Sequence, residues 1–86
     1  MTYDEAIVAA QLELPVKFTR IDGCERYDIE CKKIVKVGYS FTNGRKRAFV
    51  EALDKQCGCA YHVGVEDVRL TDPIALEGWF KKDEAV

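Results

Sequence analysis

Asn43-Gly44 restricts this chain more than any other feature. Asn-Gly between two alternating runs is the strongest short-range hairpin signal, because both central residues of a type I′ turn need positive φ. Before it, Ile34 to Phe41 is strongly β-prone, and Val35, Val37, Tyr39 and Phe41 share one face at a period of two. After it, Lys46 to Leu53 alternates Ala48, Val50 and Ala52 against Phe49, Glu51 and Leu53. This predicts a long antiparallel hairpin. A lone hairpin is marginal in water, so the rest of the chain must cover one of its faces.

The flanking segments continue the period of two. Val16 and Phe18 alternate with Lys17 and Thr19, and Ile21-Asp22-Gly23-Cys24 reads as a turn. Tyr27, Ile29 and Cys31 then alternate with Asp28, Glu30 and Lys32. Lys32-Lys33 predicts a bulge joining this run to the one that starts at Ile34. Beyond the hairpin, Asp54 to Cys59 occupies the place of a second hairpin loop, and Ala60 to Val65 alternates again through Tyr61, Val63 and Val65. Glu66-Asp67 predicts one helical turn, and Val68 and Leu70 a short closing strand.

The two ends differ from this middle. Thr2 and Glu5 have the spacing of a capping box, with Asp4 and Glu5 at the positive end of the helix dipole. A helix is expected to about Leu12, with Ile7, Val8, Ala9 and Leu12 available for burial and Pro15 ending it. Ile74, Leu76, Trp79 and Phe80 fall at roughly helical spacing in the tail. The organisation predicted is a single domain, 1–86: an N-terminal helix over 1–14, a small β-barrel over 15–72, and a tail helix or turn over 73–86. Its fold class is mostly β, with about five antiparallel strands closing as a small barrel.

Net charge excludes some partners. The chain carries −2, too little for a basic nucleic-acid coat or an acidic mimic. The charge is uneven: Lys32–Lys55 holds +5 and the remainder −7. The start of the chain is acidic where a secretory leader would be basic, and no apolar run approaches the roughly 20 residues of a membrane span. These features predict a cytoplasmic protein with mostly reduced cysteines and no membrane partner. The small core favours binding over catalysis.

The sequence "MTYDEA…LPV", then "VGYSFTNGRKRAFVEALDK", a turn, and "YHVGVEDVRL" resembles a class of short proteins encoded by phages and prophages of Gram-positive bacteria. The resemblance covers residues 1 to 72. It implies a Src-homology-3-like small β-barrel in a bacterial host cell and carries over no catalytic residues. Two departures bring in cysteine: the turn after the "LDK" strand is Gln56-Cys57-Gly58-Cys59 instead of an Asn-Gly-Asn type, and Arg20 to Glu30 is longer.

Five chemistries compete. Protein binding or self-association is favoured, through Trp79, Phe80, Tyr39 and Phe41, since aromatic residues anchor interfaces. The tail aromatics fit equally well a role in covering the barrel's open end. Nucleic-acid binding is the alternative, with Arg45, Lys46 and Arg47 for phosphates beside Tyr39, Phe41 and Phe49 for stacking. A structural zinc site is a minor alternative whose ligands would be Cys24, Cys57, Cys59 and His62; no cofactor is expected. Cys31 is placed in the core and the other cysteines in turns. A Cys-x-Cys disulfide closes a small, labile ring, and no Cys-x-x-Cys at a helix start is present. Cys59 and His62 are three residues apart, which sends them to opposite faces of a strand and argues against a catalytic dyad.

Overall fold

In a computed structural model, residues 1–76 are described. They form α1 (Tyr3–Gln11), β1 (Val16–Asp22), β2 (Glu25–Thr42), β3 (Arg45–Asp54), β4 (Ala60–Gly64), a 3-10 turn (Val65–Asp67) and β5 (Val68–Leu70). The Asn43-Gly44 turn forms as its residues require, with φ of 54° and 75° and Thr42 paired to Arg45. All strand pairs are antiparallel, in the order β4-β3-β2-β1-β5.

The mostly-β class stands, and among the described residues strand pairing does not close the sheet into a barrel. Among the described residues β4 and β5 are not hydrogen-bonded to each other, and each is an edge of the sheet. The 3-10 turn alone separates them and carries the chain across to β1, where only Val16–Phe18 pairs with Val68–Leu70. The sheet nevertheless curls. Phe18 of β1 meets Tyr61 of β4 edge-on, with ring centroids 5.4 Å apart and planes at 63°. Side-chain packing joins β1 to the β4 edge where no ladder does.

The curl follows from β2. Its pairing with β3 skips at Lys32 and again at Val35. Each bulge inserts one residue, bends the strand and resets the alternation. The first lies where the paired lysines predict it. The second corrects the expected face: Val35 is the inserted residue and is 48% exposed, while Ile34 is buried in its place. Val37, Tyr39 and Phe41 do share a face, opposite Val50, Ala48 and Lys46.

The core packs α1 against the inner face of this bent sheet. Val16, Val50, Val68 and Cys31 are fully enclosed, with Phe18, Ile34, Ala52 and Val65 around them. From α1 the buried residues are Ala6 and Ala9, not the larger Ile7 and Leu12. Small side chains on this face let the helix axis come close to the sheet. The capping box is present: Glu5 N–H donates to Thr2 Oγ1 at 3.1 Å and Thr2 N–H to Glu5 Oε1 at 2.8 Å. The helix stops before Pro15 acts on it. Leu14 N–H donates to Ala9 O at 3.0 Å and Glu13 N–H to Ala10 O at 3.2 Å, a Schellman motif. Glu13, at φ 53°, holds the left-handed position that glycine usually takes. After β5, Ala75 N–H donates to Asp72 O at 3.1 Å in a turn, and Leu76 is buried at its end.

Candidate functional site

The far end of the β2–β3 hairpin runs past the core. On its inner face the apolar strip continues outward from Val37 to Tyr39, 43% exposed, and Phe41, 74% exposed. Tyr3 at the start of α1 stacks on Tyr39, with centroids 4.5 Å apart and planes at 24°. Lys46 Nζ lies 4.1 Å from the centre of the same ring, within cation–π range. Tyr39 is thereby fixed in position, and Phe41 beyond it is left uncovered by the described residues. Tyr3 was not among the residues the sequence singled out; its place in the first turn after a capping box was the available signal.

The basic triad does not form one patch. Lys46 pairs with Phe41 on the inner face, while Arg45 and Arg47 pair with Thr42 and Ser40 on the outer face. Strand alternation separates neighbours that a sequence shows side by side. Arg47 Nη2 lies 3.7 Å from Glu66 Oε1. Of the three, only Arg45 has no partner among the described residues.

The outer face carries its own aromatic stack. Phe49 lies across from Gly38 on β2 and Gly64 on β4. A Cβ added at Gly38 would sit 3.3 Å from Phe49 Cε1 and Cζ, so the ring occupies the space the glycine leaves open. His62 stacks on Phe49 at 4.1 Å and 18°, and Lys36 Nζ is 5.9 Å from the ring centre. This accounts for a phenylalanine that is buried outside the main core.

The cysteines occupy separate places. Cys31 is enclosed, and burial, then the nearby Asp54 charge, pushes its thiol up. Cys24 is exposed at the β1–β2 tip. Cys57 and Cys59 are exposed in the β3–β4 loop, which meets β2 at Glu30 through Lys55 N–H donating to Glu30 O at 3.2 Å. Six extended residues separate Glu30 from Cys24, a span of about 20 Å. The expected ligand set of Cys24, Cys57, Cys59 and His62 is therefore not brought together, and among the described residues no group of three or more His, Cys, Asp or Glu could hold a metal.

Asp54 organises the β3–β4 loop. Its Oδ1 accepts from Gln56 N–H at 2.7 Å and Cys57 N–H at 3.0 Å, and its Oδ2 accepts from Tyr61 Oη at 3.0 Å. Asp54 N–H donates to Cys59 O at 2.7 Å, closing the loop. Hydrogen bonds from Cys57, Gln56 and Tyr61 hold the Asp54 carboxyl below its ordinary range. The same contact pushes the Tyr61 phenol up. Gly58, at φ 57°, makes the reversal between the cysteines. An aspartate at a turn start followed by polar residues is a known Asx-turn signal, so this anchor was open to sequence reasoning.

Trp79 and Phe80 lie outside the described residues. Among the described residues no helix is long and apolar enough to cross a membrane. No protein-family model, curated protein or solved structure matches the chain.

Proposed function

We propose that this chain is a non-enzymatic phage or prophage accessory protein that binds another protein, including a second copy of itself, through the inner face of the β2–β3 hairpin. The phage setting rests on the sequence resemblance alone. The strand order and the 3-10 turn before β5 agree with the Src-homology-3-like expectation. The observation that carries the reading is Phe41, 74% exposed at the end of an apolar strip that starts in the core. Exposed aromatics of this kind on a rigid element serve as interface anchors. Ile21, 63% exposed, and Tyr27, 43% exposed, lie on opposite faces near the end of the β1–β2 hairpin.

Self-association is tested by light scattering and native mass spectrometry over a wide concentration range, with Phe41→Ser as the variant. The expected result is concentration-dependent association that Phe41→Ser weakens at least several-fold. Titration with single- and double-stranded DNA at two salt concentrations tests the competing nucleic-acid reading. A monomer at every concentration, together with salt-sensitive DNA binding lost in Arg45→Ser/Arg47→Ser, would overturn protein binding in favour of it.

A further inference from the structure

Two nucleophilic side chains sit together in the β3–β4 loop. Cys57 and Cys59 are both exposed and separated only by Gly58. In an extended strand, residues two apart share a face but stand well apart. Here the chain reverses instead: the Asp54 N–H to Cys59 O bond closes the loop and Gly58 takes a left-handed φ of 57°. The Asp54 carboxylate fixes the start of the turn by accepting from Gln56 and Cys57 N–H. The neighbouring Cys57 thiol pushes the Cys59 thiol up. Cys31 is enclosed, and Cys24 stands at the tip of another hairpin.

We infer that Cys57 and Cys59 form a dithiol site that exchanges with low-molecular-weight disulfides and closes as an intraloop Cys57–Cys59 disulfide. Cys57, as thiolate, attacks one sulfur of the incoming disulfide, forming a mixed disulfide and releasing one thiolate. Cys59 gives its proton to solvent and attacks the Cys57 sulfur, forming the loop disulfide and releasing the second thiolate. Two protein thiols are oxidised to one disulfide, and the incoming disulfide is reduced to two thiols. Such small-ring disulfides are strained and readily reduced, so the site cycles rather than serving as a permanent staple. Both thiols are open to solvent, as exchange requires.

The test uses the full chain carrying Cys24→Ser, to remove the other exposed thiol, in buffers of graded reduced and oxidised glutathione. Intact-mass and peptide mapping are expected to show loss of two hydrogens, with the link between Cys57 and Cys59. Cys57→Ser and Cys59→Ser should each stop at a single glutathionyl adduct. Because the native loop reverses the chain between the two cysteines, ring formation at a fixed glutathione ratio should fall several-fold in urea. The inference is overturned if glutathionyl adducts accumulate on both cysteines without a ring. It is also overturned if ring formation is the same in folded and unfolded chains. All three cysteines substituted are exposed, and circular dichroism verifies the fold of each variant.

Discussion

The contact between Phe18 and Tyr61 joins β1 to β4 across the curled sheet without strand pairing, and this makes it the place to perturb the fold. Phe18 is 8% exposed and its ring meets Tyr61 at 5.4 Å. Phe18→Leu keeps most of the volume, which costs less than about 1.5 kcal/mol in a core. It also removes an aromatic pair worth about 0.5–1.5 kcal/mol beyond its buried area. The expected loss is about 1–3 kcal/mol in all, against a total stability of roughly 4–13 kcal/mol for a domain of this length. Urea unfolding followed by far-UV circular dichroism should show the midpoint fall with an unchanged slope. The melting temperature should drop by about 4–8 °C per kcal/mol. Tyr61 also donates to Asp54, so Tyr61→Phe isolates the hydroxyl before Tyr61→Leu removes the ring. The cycle of Phe18→Leu with Tyr61→Leu should give a coupling of about 0.5–1.5 kcal/mol. A coupling within about 0.3 kcal/mol of zero would show that these rings do not hold β1 and β4 together.

Three further outcomes follow from local geometry. Thr2→Ala removes the acceptor for Glu5 N–H and should lower stability by about 1 kcal/mol in the same urea assay. Glu13→Gly should raise stability by about 0.5–1 kcal/mol, because a left-handed φ costs an ordinary residue about 1–2 kcal/mol and glycine only part of that in entropy; the exposed Lys33 pair it removes is weak. Asp54 is held below its ordinary carboxyl value of 3.8, so its contribution is complete above that value and is lost as pH falls through the lower folded value. Melting curves taken from about pH 5 down to about pH 2 should therefore fall more steeply for the natural chain than for Asp54→Asn.

The strands were legible because each has one face in a core and one in water, so alternation reports burial directly. The Asn43-Gly44 turn was legible because few residue pairs accept its backbone. The bulge at Val35 was not, since a valine inserted into a run of valines and isoleucine leaves the pattern looking regular. Nothing in composition marks which member is extra; only the partner strand decides. The helix face was misjudged for a related reason. Ala9 was expected at the core and is buried, but size also suggested Ile7 and Leu12, whereas close approach to a concave sheet selects Ala6 beside Ala9. At the hairpin, Tyr39 and Phe41 were readable as a pair two apart, and the split of Arg45, Lys46 and Arg47 followed from the same period. The Tyr3 stack depends on where α1 lands on the sheet, which no local pattern contains.

The Val35 bulge also offers a way to ask what bends the sheet. Val35 lies outside the alternation, so deleting it leaves Ile34 opposite Ala52 and Lys36 opposite Glu51, with every flanking side chain on its present face. If the inserted residue did nothing, its removal would resemble Val35→Ala, an exposed change worth no more than about 0.5 kcal/mol. A bulge bends its strand and increases twist, and β2 is the strand that turns β1 toward β4. Straightening it should draw Phe18 away from Tyr61 and open the inner face on which α1 packs. Deletion is thus expected to cost about 2–4 kcal/mol, the scale of a lost large core contact. In the Phe18→Leu background the same deletion should cost less, because part of the contact it breaks is already gone. Equal costs in the two backgrounds, or a deletion no worse than Val35→Ala, would show that the curl is set elsewhere, by α1 or by the bulge at Lys32.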